Sequence, residues 1–334
     1  MRHAARILRP ISGIWSVVAK RRYRRTAPYR PKLPVICVGN FTAGGAGKTP
    51  LAIAVVEQLK ALGHRPAFLS RGYGGKLAGP HNVDGKHDCA VDVGDEPLLL
   101  ASHAPTMIAR DKIAGARAIE ASSADVIVMD DGLQNPTLSK DLTLAVIDDA
   151  RGVGNGQVIP AGPLRVPLDF QLGLTDAIVL MHADLQSPSA AVGDVLREAF
   201  NGPVLHAALA ASEDVSWLQN QPCLAFSGIA HPEKFFDSLR RLGANLVEAA
   251  AYPDHHMFSA DDAQSLLQHA ERAGAQLVTT EKDWARLTAE NADAAALRAN
   301  SRALPVEVSF AEGSRNSFIA LIKDALEPKA SLAD

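Results

Sequence analysis

The feature that most constrains this chain is the stretch from residue 34 to residue 49, PVICVGNFTAGGAGKT. It starts with a short apolar segment, continues through a glycine-rich loop and ends at Lys48 and Thr49, where helix-forming residues begin. Glycine lets the backbone curve closely around an anion so that successive N–H groups point inward. The helix that follows adds the positive end of its dipole. The order of strand, glycine loop and helix therefore predicts a phosphate-binding loop.

The loop matches the pattern G-x-x-x-x-G-K-[ST] except at its first position, which is Thr42. We expect Lys48 to contact the terminal phosphates of a nucleoside triphosphate and Thr49 to bind Mg²⁺ through its hydroxyl. An ordinary glycine-rich turn is the alternative, but it would not explain why strand, loop and helix agree. Partition-type ATPases carry a signature lysine where this chain has Ala43, which disfavours that dimeric class. The predicted nucleotide-binding residues are Thr42, Ala43, Gly44, Gly45, Ala46, Gly47, Lys48 and Thr49.

Length and composition are those of a soluble globular protein with room for two domains. The chain has 334 residues, of which 47% are apolar and 21% charged. Cys37, Cys89 and Cys223 form neither a metal-binding spacing nor a disulfide framework, which indicates a reducing compartment. No apolar run approaches the roughly 20 residues that span a bilayer. The apolar stretch at 11–19 is followed by basic residues rather than a cleavage site, so it does not resemble a secretory signal.

Charge is unevenly distributed. Residues 1–32 hold ten Lys or Arg and no acidic side chain. Because the whole chain holds 34 basic and 37 acidic side chains, the other residues hold 24 and 37. A basic arm on an acidic body predicts an anionic partner, either a membrane surface or a nucleic acid.

The basic arm, residues 1–25, has the pattern of an amphipathic helix. Ile7, Ile11, Ile14 and Val18 recur at helical spacing, with arginines at both ends. One interpretation is a helix that lies on an anionic membrane surface. The alternative is a helix that packs on the domain with its basic side chains in water. Nucleic acid is disfavoured, because few aromatic residues lie among the charges.

The remaining chain alternates strand and helix patterns, which predicts an α/β fold with a mostly parallel sheet covered on both faces. The pattern divides into a larger nucleotide-binding domain at 26–212 and a smaller α/β domain at 213–330. Expected strands of the first are 34–38, 66–70, 106–109, 125–130, 143–148 and 176–181. Those of the second are 222–227, 245–249, 276–280 and 305–309.

Two pairs of adjacent carboxylates lie at the ends of predicted strands or helices. Asp130 and Asp131 end an apolar strand, where a carboxylate can hold Mg²⁺ beside a phosphate loop. The alternative is a buried strand that ends in a turn. Asp95 and Glu96 open a helix, and we interpret them as a general base and a metal-associated carboxylate. Ordinary helix capping explains their spacing equally well.

Three further segments are candidates for substrate contacts or proton transfer. Arg71 and Tyr73 lie in a glycine-rich loop after a strand, and a stiff turn at 160–165 presents Arg165. The segment PDHHMF places His255 and His256 after Asp254. Adjacent residues point apart, so a single histidine oriented by a carboxylate is favoured over a metal pair, and a solvated loop histidine is the alternative.

The ordered set of motifs resembles the tetraacyldisaccharide 4′-kinase (lipid A 4′-kinase) family of Gram-negative bacteria. VGNFTAGGAGKTP, SRGYGG, VGDEP, VMDDGLQ, IPAGPLR, YPDHH and TTEKD occur here in that family's order, over roughly residues 30–285. The resemblance implies two Rossmann-like α/β/α domains with the active site in the cleft between them. It also implies transfer of the γ-phosphate of ATP, with Mg²⁺, to the 4′-hydroxyl of a tetraacylated glucosamine disaccharide 1-phosphate. The family works at the cytoplasmic face of the inner membrane, which the basic helix fits.

The resemblance also implies roles for individual residues. Asp95 corresponds to the family's catalytic base and His255 to its partner, with Lys48 at the phosphates. The implied metal residues are Thr49, Glu96, Asp130 and Asp131, and the implied substrate residues are Arg71, Tyr73, Gln134 and Arg165.

This chain departs from the family pattern at two positions. It has Asn135 where the family usually has His, and Val166 where it usually has Glu. A substrate contact at the first and a metal-binding role at the second therefore cannot be carried over. Two other functions remain open: a nucleotide-switched ATPase of the metal-chaperone or partition type, and a soluble kinase or ligase for a small metabolite.

Overall fold

The computed structural model describes residues 2–186, 198–287 and 292–327. Within these ranges the strands form one nine-stranded sheet and one four-stranded sheet. The large sheet contains β1 (Val35–Asn40), β2 (Pro66–Ser70), β3 (His81–Asn82), β4 (Thr106–Ile108), β5 (Val126–Asp130), β6 (Leu142–Asp148), β7 (Ala177–His182), β8 (Val204–Ala211) and β13 (Val306–Phe310). The small sheet contains β9 (Pro222–Ser227), β10 (Asn245–Ala251), β11 (Gln276–Thr280) and β12 (Ser301–Leu304). The strand orders are β13-β8-β7-β6-β1-β5-β2-β4-β3 in the large sheet and β10-β9-β11-β12 in the small one.

Helices connect most of these strands. They are α1 (Arg2–Arg25), α2 (Lys48–Ala61), α3 (Ala90–Val93), α4 (Asp95–Ala101), α5 (Lys112–Glu120), α6 (Leu168–Leu172), α7 (Pro232–Arg241), α8 (Ala260–Ala273), α9 (Glu281–Arg286), α10 (Ala292–Asn300) and α11 (Ser314–Leu326). The α/β class predicted from the alternating pattern is confirmed. The strands pair in parallel except at the two outer pairs of the large sheet, β13 with β8 and β3 with β4.

The large sheet is buried on both faces, as near-continuous apolar strands require. In β1, Ile36 and Val38 belong to one core cluster together with Leu51 and Val55 of α2. The intervening Val35 and Cys37 point to the other face and join a second cluster that includes Ile119 of α5. Each such buried aliphatic side chain stabilises the fold by about 1.5–3 kcal/mol.

The chain returns to the large sheet at its C-terminal end, which the sequence did not predict. The strand expected at 305–309 exists as Val306–Phe310, but it pairs antiparallel with β8 rather than joining the small sheet. Val306 lies opposite Ala211, the last residue of β8. A shorter strand, Ser301–Leu304, completes the small sheet instead. The segment predicted as one domain at 213–330 therefore supplies both the small sheet and the edge of the large one.

Helix α1 rests on the large-sheet unit through its polar side. Ser12 is buried, where its hydroxyl donates to the carbonyl of Val158 at 2.8 Å, and Lys20 pairs with Asp169 at 3.1 Å. The aliphatic residues Ile7, Ile11, Ile14, Val17 and Val18 are exposed, whereas Trp15 is half-exposed and its Nε1 donates to the carbonyl of Arg165 at 3.1 Å. No helix among the described residues has the length and apolar character needed to cross a bilayer.

Candidate active site

The phosphate-loop candidate joins β1 to α2, as predicted. Gly44 and Gly47 have φ values of 108° and 90°, which residues that carry a side chain rarely adopt. A Cβ on Gly47 would also lie only 3.4 Å from the side chain of Met181. Helix α2 begins at Lys48, so its first N–H groups point into the loop. The geometry is that of an anion-binding helix N-terminus.

The turn at 160–165 braces this loop. The N–H of Ala43 donates to the carbonyl of Pro163 at 2.8 Å, and the N–H of Arg165 donates to the carbonyl of Phe41 at 2.9 Å. Two motifs that are more than 100 residues apart therefore form one unit.

Asp131 lies between two cations at the mouth of the loop. Arg165 contacts both of its carboxylate oxygens at 2.9 Å, and the Nζ of Lys48 is 3.9 Å from Oδ2. A bidentate pair of this kind fixes both side chains. The structure thus places Arg165, a predicted substrate residue, against Asp131, a predicted metal residue.

Asp130 is a buried carboxylate at the end of β5, beside the phosphate loop. It is 2% exposed, and its Oδ1 has no hydrogen-bond partner among the described residues. Burial, together with the charges of Glu96 and Asp131, raises the pKa of Asp130 to about 7. A buried carboxylate of this kind gains a partner when a cation is bound.

The residues present fit a magnesium ion that is shared with a bound phosphate. The described residues contain no group of three or more His, Cys, Asp or Glu side chains that could hold a metal by themselves. Mg²⁺ commonly takes only one or two protein carboxylates, plus phosphate oxygens and water. Asp130 and the buried Thr49 offer such oxygens, whereas Glu96 is paired with Lys282 at 3.1 Å.

Asp95 and His255 come together across the cleft between the two sheets. The Nδ1 of His255 lies 3.0 Å from Oδ2 of Asp95, and His255 has a φ of 60°. This hydrogen bond raises the pKa of His255, against burial and the charge of Lys282, which lower it. His256 instead contacts Asp262 at 3.0 Å. Of the two adjacent histidines, His255 is thus the one that meets Asp95.

Two cations on α9 complete the surroundings of Asp95, and sequence reasoning did not assign either of them. Arg286 contacts Oδ2 of Asp95 through Nε at 2.7 Å, and Nζ of Lys282 lies 3.7 Å from the same oxygen. Burial would raise the pKa of Asp95, but the hydrogen bond from His255 and these two charges outweigh it and hold that pKa far below its usual value. The motif at 279–283 pointed to this segment, but nothing in it indicated the partner.

A single cavity of about 1530 Å³ joins these elements. Its walls include the phosphate loop, the cleft-facing His255 and part of α1. The predicted substrate residues Arg71, Tyr73, Gln134 and Arg165 also line it. Tyr73 is largely exposed, and its ring centroid lies 5.8 Å from that of His255. The amide nitrogen of Gln134 is already occupied by the carbonyl of Asn40 and the side chain of Gln171.

Lys112, at the start of α5, is a further cavity residue that sequence reasoning missed. It is 5% exposed, and its Nζ has no hydrogen-bond partner within the described ranges. Burial lowers the pKa of Lys112 to about 8, while the charge of Asp130 acts to raise it. The only signal in the sequence was its place at a helix start after a strand, which many lysines share.

The sequence matches the model of one known protein family. The model described as tetraacyldisaccharide-1-P 4′-kinase matches residues 4–327. The chain belongs to this family. The membership predicted from the ordered motifs is therefore confirmed.

Relatives support the assignment over nearly the whole chain. The tetraacyldisaccharide 4′-kinase of Methylobacterium sp. (strain 4-46) is 48% identical over 315 residues, which cover 90% of this chain and 93% of that protein. The one from Parvibaculum lavamentivorans is 45% identical over 326 residues, covering 97% and 93%. The crystal structure of the "apo" form of LpxK from Aquifex aeolicus in complex with ATP has a TM-score of 0.75 and 25% identity, covering 97% of this chain and 100% of that one.

The two departures from the family pattern have plain structural roles in this member. The side-chain oxygen of Asn135 accepts hydrogen bonds from the backbone and hydroxyl of Thr137, at 2.9 and 2.7 Å, and so stabilises a turn. Val166 is buried in the wall of the cavity.

Proposed function

We propose that this protein is an ATP-dependent kinase that phosphorylates the 4′-hydroxyl of a tetraacylated glucosamine disaccharide 1-phosphate, a late step of lipid A biosynthesis. Family membership supplies the reaction. The single observation that carries it in the structure is the shared cavity, which connects the phosphate loop to His255, the partner of Asp95, and to α1. A nucleotide-switched ATPase would need no such pair opposite its phosphate loop.

The phosphate loop is proposed to hold the β- and γ-phosphates of ATP. Loop N–H groups and Lys48 stabilise the charge on the transferring phosphoryl group, which is the main catalytic requirement of this chemistry. Thr49 and Asp130 are the proposed residues for Mg²⁺, which when bound neutralises charge on the phosphate oxygens. Arg165 keeps Asp131 in place beside Lys48.

His255 is the proposed proton acceptor, with Asp95 behind it. The sequence led us to expect the opposite order. However, Asp95 is 5% exposed, and its Oδ2 already accepts from His255 and Arg286. Among the described residues the cavity wall includes His255 but not Asp95. We therefore assign Nε2 of His255 to the hydroxyl proton, while Asp95 orients the ring and stabilises the imidazolium that forms.

Substrate positioning is assigned to the glycine-rich loop at 70–75. Tyr73 offers an exposed aromatic face beside His255, which suits a sugar ring. Arg71 offers a charge for a phosphate in the same cavity. Both would bring the hydroxyl close to the acceptor and the γ-phosphate.

Helix α1 is the proposed membrane contact, at the cytoplasmic face of the inner membrane. Its exposed apolar residues form the outer side of the helix, and its last turn carries Arg22, Arg24 and Arg25. Such a helix lies in the interface of an anionic bilayer. Because Trp15 and Val18 also line the cavity, acyl chains could pass from the bilayer to the site along α1.

The test is direct. The protein is incubated with ATP, Mg²⁺ and the lipid disaccharide 1-phosphate in detergent, and the product is analysed by mass spectrometry and by loss of ATP. We expect one added phosphate, at the 4′ position. ATP hydrolysis without any phosphorylated lipid would reject the kinase and favour the nucleotide-switched ATPase.

A further inference from the structure

The Arg286 guanidinium is buried at the junction of the two sheets and divides its nitrogens between them. The side chain is 1% exposed. Its Nε and Nη2 lie 2.7 and 2.6 Å from Oδ2 of Asp95, which belongs to the large-sheet unit. Its Nη1 donates to the carbonyl of Gly228 and to Asp283, both at 2.8 Å, within the small-sheet unit. One planar group thus contacts both sides of the cleft.

The carbonyl of Gly228 connects Arg286 to His255. It accepts the backbone N–H of His255 at 3.0 Å as well as Nη1 of Arg286. His255 has a left-handed backbone, which a residue with a side chain holds only when its surroundings impose it. Arg286 therefore contacts Asp95 directly and, through one shared carbonyl, the backbone of its partner.

Asp283 holds Nη1 of the Arg286 guanidinium in place. It is fully buried, and it also accepts hydrogen bonds from the hydroxyls of Ser227 and Thr280 and from the N–H of Gly228. These hydrogen bonds restrain Asp283, and Asp283 in turn restrains Nη1 of Arg286, whereas Nη2 has no hydrogen-bond partner within the described ranges. The small-sheet unit therefore restrains the guanidinium that Asp95 contacts.

Lys282 does not duplicate this role. Its Nζ is 3.7 Å from Asp95 but 3.1 Å from Glu96, to which it donates a hydrogen bond. An ammonium group is also a point charge on a flexible stem, whereas a guanidinium presents donors in a fixed plane. Of the two cations of α9, Arg286 is the one that can impose an orientation.

We infer that Arg286 is a positioning residue, which fixes Asp95 and His255 relative to each other when the two units meet. This rests on the proposed function of His255 as proton acceptor. The simpler alternative is an ion pair that only holds the two units together. The two differ in what they affect: positioning changes the rate of the chemical step through Asp95, whereas a structural tie changes stability or nucleotide affinity.

The test compares Arg286→Lys with Arg240→Lys, a matched control at an exposed pair with Asp237 on the same unit. We expect Arg286→Lys to lower kcat by about tenfold or more, since small misplacements at a reacting centre are costly. We expect KM for ATP and the affinity for a non-hydrolysable analogue to stay close to those of the unchanged protein, and Tm to fall but to remain above the assay temperature, because the substitution disturbs a buried ion pair. A kcat within twofold of the unchanged protein, or a loss seen only in KM or Tm, would overturn the inference.

A double-mutant cycle asks whether Arg286 acts through Asp95. In the Asp95→Asn background we expect Arg286→Lys to lower kcat by less than about twofold, because the group it positions is already gone. Equal losses in both backgrounds would show independent action and reject the inference.

A readout that needs no lipid separates this inference from the proposed function. In the unchanged protein the ring nitrogens of His255 report its hydrogen bond to Asp95 by NMR. Their shifts should move in Arg286→Lys and not in Arg240→Lys, and unmoved shifts reject the inference whatever the kinase assay gives. If Arg286→Lys does not fold, Ser227→Ala is the second variant: it removes a hydrogen bond that restrains Asp283, the partner of Arg286, without adding an atom, and the His255 shifts should move in it as well.

Discussion

The Nδ1 of His255 lies 3.0 Å from Oδ2 of Asp95, although 160 residues separate them in the chain. Asp95 starts a helix beside the large sheet, and His255 follows a strand of the small one. The pair exists only where the two sheets face each other. The proposed proton acceptance by His255 would thereby depend on the arrangement of the two units around the cavity.

Replacing His255 tests its proposed role most directly. We expect His255→Ala to lower kcat by about 10²–10⁴-fold, the usual contribution of a general base. Nucleotide affinity should change by less than about threefold, because His255 is opposite the phosphate loop. Product formation and titration with a fluorescent ATP analogue measure the two quantities. His256→Ala is the matched control, and a comparable loss in that variant would reject the assignment to His255.

The pH dependence of kcat/KM follows from the raised pKa of His255. A base must be neutral to accept a proton, so activity should fall as pH drops through a pKa above 6.5. The hydrogen bond that His255 donates to Asp95 is the main cause of that rise in pKa, whereas burial and the charge of Lys282 lower the pKa. In Asp95→Asn the acid limb should therefore move to lower pH, on top of the loss in rate. A limb that stays in place would show that another group titrates.

Asp130→Asn should separate metal binding from stability. Because burial and neighbouring carboxylates raise the pKa of Asp130 to about 7, its charge is unfavourable in the metal-free protein at pH 8. Asn removes that charge, so we expect a higher Tm without metal and a weaker affinity for Mn²⁺ measured by electron paramagnetic resonance. Magnesium-dependent turnover should fall by at least about tenfold. Unchanged Mn²⁺ affinity would exclude Asp130 from the metal site.

The proposed membrane contact of α1 depends on its exposed apolar side. The triple variant Ile11→Asn, Ile14→Asn, Val18→Asn should reduce co-sedimentation with vesicles of anionic and neutral phospholipids by about tenfold or more, because it removes the side chains that would enter the bilayer. These positions are exposed, so Tm should hardly change. Val247→Asn, at an exposed apolar position of the small sheet, is the control. Equal sedimentation of the triple variant and the control would contradict the proposal.

Local patterns in the sequence were sufficient to predict most helices and strands and many of the candidate site residues. The phosphate loop, the strand before Asp130 and the helix at Asp95 each have a signal within about ten residues. The apolar spacing in residues 1–25 predicted an amphipathic helix but not which side faces the protein. The structure shows that Ser12 and Lys20 face inward, so the apolar side is free.

The contacts that the sequence did not provide are all long-range. Arg286 meets a carboxylate 191 residues away, and nothing in its own segment distinguishes it from a solvated arginine. Lys112 differs from other lysines only through its burial. The strand at 306–310 has ordinary strand composition, and periodicity cannot tell which sheet edge it will join. Each of these depends on tertiary packing rather than on local preference.

The pairing of Val306 with Ala211 has a mechanical consequence. The chain leaves the large sheet at the end of β8 and re-enters it at the start of β13, so the small sheet is attached by two segments that lie side by side. A unit attached by two adjacent segments can rotate as a hinge about the line that joins the two attachment points, whereas rotation about other axes is restricted. Arg286 and His255 would then approach Asp95 along a single rotational path. Shortening either connecting segment should change the fraction of molecules in which the cleft is closed, rather than the contacts made in the closed state.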